Sequence, residues 1–149
     1  MKLRIEISET EPEGEVIIRC GRVDDNVKKI QEFILSLSTP KLTFYKGTQE
    51  FFLPIEEVLF FETADEQIFA HTVNDSFKVR YRLYELEEML PRSFARAAKG
   101  TIVNTHAIYA INRNMSSASK ISFQGTHKHI YVSRHYYNAL KDKMNERST

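Results

Sequence analysis

The chain has 149 residues, 42% hydrophobic and 28% charged, with a formal net charge of +1 at pH 7 and a single cysteine. That suits one globular domain with a real core and a small appendage. It offers no apolar run of about 18 residues to span a membrane, no secretory h-region in the acidic N-terminus and no disulfide framework.

The first forty residues read as strand, turn, strand and helix. KLRIEI alternates Leu3, Ile5 and Ile7 with polar partners, the period of a half-buried strand. ETEPEGE is a turn and EVIIRC a second strand. DDNVKKIQEFILSLS then sets Val27, Ile30, Phe33, Ile34 and Leu37 at helical spacing behind Asp24 and Asp25, and Thr39-Pro40 closes it. Residues 1–40 are thus expected to form a β-β-α appendage, its helix stripe packed on its own strands or serving as a dimerisation element.

From Lys41 short strands follow one another. KLTFYK and QEFFLPI meet at Lys46-Gly47-Thr48, a hairpin signal, and VLFFETADEQIFAHTV folds at a loop over Thr63–Gln67. Asn74-Asp75-Ser76 turns into FKVRYR. LYELEEML is a helix with Leu83, Leu86 and Leu90 on one face, stopped by Pro91. RSFARAAKG reads as a loop, TIVNTHAIYAI as an apolar strand region, and INRNMSSAS as a polar turn. KISF and KHIYV are strands around Gln124-Gly125-Thr126, and a last helix starts near Ser133. Many short strands and few helices predict a mainly β (α+β) domain over 41–149. Phe60, Phe61, Phe69, Phe94, Ile102, Val103, Ile108, Ile111, Phe123 and Val132 are its candidate core.

Catalytic and cofactor readings find composition without a constellation. The five glycines have no phosphate-loop spacing. His127 and His129 share a strand face but lack the further ligands of a zinc site. Ser133, His135 and Asp142 have triad residue types, yet Ser133 stands at a helix start, where serine is an ordinary cap. No cofactor and no metal is expected, and no enzyme activity.

The charge distribution is more telling. Residues 91–149 hold ten Lys and Arg against two Asp and Glu, whereas residues 41–90 hold five against ten. A basic block of this kind suits a polyanion partner. Within it, FARAAKG places Arg96 and Lys99 among alanines and a glycine, where the backbone can approach a large surface. Arg96 has a structural alternative, pairing with Glu85, Glu87 or Glu88. A second basic element places Lys128, Arg134 and His135 around a strand-to-helix junction. Such cations reach phosphates or guanine edges. This reading requires the acidic 41–90 segment to face mostly away from the duplex.

At these residues the chain resembles the LytTR-type DNA-binding domain of the LytR/AlgR family. The likeness rests on Leu90-Pro91, Phe94 to Arg96, Ile102 to Asn104 and Val132 to Arg134, in order, with IEEVLFFETADEQIFAHTV matching the family's early hairpin. It implies a bacterial, cytoplasmic transcription regulator, a response-regulator output domain whose antiparallel sheets insert loops into successive major grooves of promoter repeats. Carried over, base contacts fall at Gln67, at Lys99, and at Arg134 and His135, the last standing where arginine is frequent. Residues 1–40 are too short for a phosphoacceptor receiver, which suggests the stand-alone group. Family inference adds a membrane-bound inhibitory protein encoded nearby, and binding to double-stranded DNA is expected as a homodimer or as two monomers on tandem repeats. The reading of another class is a non-enzymatic protein-interaction module acting through the N-terminal helix or β edges.

Overall fold

The computed structural model describes residues 2–7, 16–38 and 42–146, and the chain divides into two units, Met1–Ser36 and Leu37–Thr149. Helix α1 (Asp25–Ser38), all but its last two residues in the first unit, begins where expected. The Val27 amide donates to Asp24 Oδ1 at 2.9 Å, satisfying one of the orphan donors of the first turn. The two flanking strands do not form: residues 2–7 and 16–20 have no strand partner among the described residues. Leu3, Ile5, Ile7, Val16 and Ile17 are all exposed. Alternation fixes which side chains share a face, but a strand exists only when a neighbour takes up its backbone groups. The expected ETEPEGE turn and the Thr39-Pro40 stop lie outside the described residues.

The second unit is built on a seven-stranded antiparallel sheet, in the order β2-β1-β5-β4-β3-β7-β6. Its strands are β1 (Phe44–Lys46), β2 (Gln49–Phe51), β3 (Phe60–Ala64), β4 (Gln67–His71), β5 (Ser76–Val79), β6 (Phe94–Ala98) and β7 (Thr101–Asn104). The β1–β2 turn is two residues long, and Gly47 takes φ of 58°, the left-handed conformation that glycine adopts without strain. Helix α2 (Leu83–Met89) follows β5, its entry fixed by the Arg82 amide donating to Glu85 Oε1 at 3.1 Å. A second sheet, β10-β9-β8, comprises β8 (Ile108–Asn112), β9 (Ser119–Phe123) and β10 (His129–Val132), and leads into helix α3 (Arg134–Glu146).

The large sheet is buried on both faces. Phe61, Ile102 and Phe94 point into a core shared with Phe44, Phe77 and Leu86 of α2. Phe60 and Val103, next to them in sequence, and Ala97 further along β6 point into a second core with Ile121, Val132 and Leu140 of α3. Strands covered on both sides have no polar face, which is why Val58–Phe61 and Ile102–Val103 read as continuous apolar runs. Of the expected core, Phe69 and Ile111 are only half-buried.

Two expectations change. RSFARAAKG is mostly strand rather than loop, because Phe94 and Ala97 are buried and β6 pairs with β7 along most of its length. TIVNTHAIYAI is two strands in different sheets, separated by a 3-10 turn over Thr105–Ala107. Asn104 makes that corner. Its Oδ1 accepts from the His106 amide at 3.1 Å while its Nδ2 donates to the Val58 carbonyl at 3.1 Å.

Candidate nucleic-acid interface

Three turns converge at one end of the large sheet. The β3–β4 turn, Asp65-Glu66, precedes Gln67; the β6–β7 turn is Lys99-Gly100; the β10–α3 junction is Ser133. Thr63 donates its amide to the Gly100 carbonyl at 2.9 Å, which ties the first turn to the second. Ser133 donates its amide to the Ala97 carbonyl at 2.8 Å, which ties the third to the second. That carbonyl is available because β6 carries a bulge. The register passes from Arg96 opposite Ile102 to Ala98 opposite Thr101, and the extra residue has no partner in the ladder. The bulge therefore joins the edge strands of the two sheets.

Gln67, Lys99, Arg134 and His135 are all exposed at this end. Arg134 opens α3, which is held to β6 from its far end by the Lys143 ammonium, 3.0 Å from the carbonyls of both Arg92 and Phe94. Arg113 stacks over the Tyr137 ring at 4.7 Å and secures the same helix from the end of β8. Lys99 and Arg134 are thus carried on elements with little freedom to drift apart.

Arg96 behaves differently. Its side chain is only 17% exposed, with Nη2 3.4 Å from Glu87 Oε2 and Nη1 donating to the Lys99 carbonyl at 3.1 Å. The guanidinium faces inward to Glu87 and the turn, which is the structural alternative raised for it. It braces the backbone of Lys99.

Lys128 is not at the strand-to-helix junction. It precedes β10 while Arg134 follows it, so a full strand separates them, on the order of 15–20 Å. Its half-buried ammonium donates to the Asp75 carbonyl and lies 3.3 Å from His71 Nδ1. The sequence places Lys128 near Arg134, and an intervening extended strand carries it to the opposite end.

Three basic residues of this region have no place in the sequence reading. Lys78, Arg80 and Arg82 line an open cleft of about 430 Å³ together with Glu66 and Gln67. Their i, i+2, i+4 spacing in KVRYR puts them on one face of an extended segment, a signal that the acidic balance of 41–90 conceals. Much of that acidity is engaged internally: Glu62 with His71, Glu87 with Arg96, Asp75 with Lys46, and Glu85 on the start of α2. Asp65 and Glu66 are the exception to the expectation that acids face away. They form the exposed tip beside Lys99, with φ of 51° and 63°.

His71 stacks on Phe60 at 4.5 Å and donates through Nε2 to Glu62 Oε1 at 2.9 Å. A neutral ring protonated on Nε2 leaves Nδ1 to accept from Lys128. Burial, chiefly, lowers its pKa below the ordinary 6.5; Glu62 opposes the shift and Lys128 adds to it. Between the lowered value and 6.5 the unfolded chain binds more protons than the folded one, so stability falls as pH drops through that window. Urea midpoints measured from about pH 7.5 to about pH 5.5 should fall in the parent and fall less in His71→Gln. Equal slopes would mean that this ring does not titrate with folding.

Three helices are present among the described residues and no two are consecutive in the chain, so two strand-borne turns and the start of α3 provide this surface. Among the described residues no helix is long and apolar enough to cross a membrane. The model of the LytTr DNA-binding domain matches residues 48–145. The chain is 29% identical over 145 residues to an uncharacterized HTH-type transcriptional regulator of Staphylococcus aureus (strain NCTC 8325 / PS 47), covering 97% of this chain and 98% of that protein. A counterpart in Staphylococcus aureus (strain N315) is 28% identical over the same length. The fold is similar to the LytTr DNA-binding domain of a Bacillus cereus protein described as a putative methyl-accepting/DNA response regulator, with a TM-score of 0.65, 24% identity, and coverage of 70% of this chain and 96% of that one. The chain therefore belongs to the LytTR family of DNA-binding domains.

Proposed function

We propose that this protein is a sequence-specific regulator of transcription that binds double-stranded promoter DNA. The S. aureus relatives named as transcriptional regulators support a role in transcription, and the elements bearing Gln67, Lys99, Arg134 and His135 are the ones that enter major grooves in this reading. One observation carries it: three turns distant in sequence are hydrogen-bonded together at one end, with Lys99 and Arg134 both exposed there. Lysine and arginine suit guanine O6 and N7 in the major groove. Lys78, Arg80 and Arg82 flank that end and suit phosphates, which fix register without carrying sequence information. The acidic tip is compatible with a groove, because a carboxylate accepts from cytosine N4.

A mobility-shift titration with the duplex upstream of its own gene tests the proposal. With about five phosphates neutralised, log affinity falls against log salt with a slope of about −4 to −5. A flat profile, or no complex at low salt, would favour a protein-interaction module instead.

A further inference from the structure

We propose that residues 3–7 pair antiparallel with the same segment of a second copy of this chain, around a two-fold axis through Ile5. The segment has the surface of a strand without a neighbour. Leu3, Ile5 and Ile7 are 89%, 78% and 92% exposed, an apolar stripe that an isolated strand leaves in water. Arg4 and Glu6 occupy the other side, where their side chains pair at 2.5 Å across two residues of the same chain, the separation that an extended backbone gives.

Charge complementarity identifies the occupant. With Ile5 opposite Ile5, Leu3 faces Ile7, Arg4 faces Glu6 and Glu6 faces Arg4. All apolar residues then meet apolar residues, and both charges meet their opposites. Neighbouring registers fail. Centring on Arg4 or on Glu6 sets like charges against each other, and an odd shift sets Leu3 against Glu6, moving the apolar set to the wrong face. A self-complementary segment of this kind forms an isologous interface, the same patch contributed by both subunits. It would also close an edge otherwise open to indiscriminate pairing.

The consequence for promoters, two DNA-binding units held together on neighbouring half-sites, rests on the proposed function. The pairing does not, and it is measured without DNA. Sedimentation of the full chain from nanomolar to high micromolar concentration should show a mass twice the 17.4 kDa of one chain. Ile5→Asp should abolish it. Arg4→Glu and Glu6→Arg should each raise the dimer dissociation constant about tenfold. An equimolar mixture of those two variants should recover the dimer. One chain then carries carboxylates at both positions 4 and 6, the other carries guanidinium groups at both, and each charge faces its opposite. The internal Arg4–Glu6 pair cannot produce rescue in trans. Unchanged thermal melting of each variant guards against loss of fold. A parent that stays monomeric throughout, a dimer indifferent to Ile5→Asp, or a mixture that fails to recover would each overturn the pairing.

Discussion

Lys99→Ala should lower affinity for the preferred duplex by about 5- to 150-fold, the equivalent of about 1–3 kcal/mol for one good base contact. Affinity for unrelated duplex should change little. The asymmetry follows from position: Lys99 stands at the tip of a two-residue turn among small residues, with its backbone fixed by Arg96 and by the Thr63–Gly100 hydrogen bond. Alanine there leaves the turn in place and removes only the reaching ammonium. Arg134→Ala should behave alike. The two cations stand on separate elements, so their costs should come close to adding, making the double variant nearly indifferent to sequence. Competition binding with specific and random duplexes reads this directly. If both duplexes lose affinity equally, the two cations are phosphate contacts and base reading lies elsewhere, with Gln67 and the acidic tip the next residues to examine.

Asn104→Ala should destabilise the fold by about 2–4 kcal/mol, enough to move a urea midpoint clearly. The side chain is 4% exposed and works in opposite directions, donating to Val58 and, at 3.5 Å, to Glu56 while accepting from His106. Alanine leaves a carbonyl and an amide without their partner where little water can replace it, each costing about 1–3 kcal/mol. Leucine at the same place should be no better, since volume is not what is lost. Aspartate would keep the acceptor and lose the donor while burying a charge, so it should be the worst of the three. A loss under about 0.5 kcal/mol for alanine would show that the corner holds without it.

The fold was legible where physics leaves a periodic mark. The hairpin signal at Lys46-Gly47-Thr48, the loop placed within Thr63–Gln67, the leucine face of α2 and the core pairs Phe60–Phe61 and Ile102–Val103 all announce themselves. FARAA did not, because alanine has little strand preference and the cation inside it suggested a loop. Nothing in a sequence of small residues marks the bulge at Ala97. The N-terminal segments show the converse failure: Leu3, Ile5 and Ile7 carry the alternation of a strand, but alternation cannot say whether a partner is present. The candidate site was half legible. Lys99, Arg134 and His135 stand out in the basic block and Gln67 only through the family resemblance, and the fold carries all four to one end. Arg96 and Lys128 are grouped with them by proximity in sequence and prove engaged inside the protein, while Lys78, Arg80 and Arg82 were hidden by the acids around them.

The amide of Ser133 resting on the carbonyl of Ala97 has a mechanical meaning. Prising the two sheets apart would also part Lys99 from Arg134, so under the proposed function a duplex gripping both would act as a splint across the seam. Operator binding and cohesion of the sandwich then become one equilibrium, each strengthening the other by mass action.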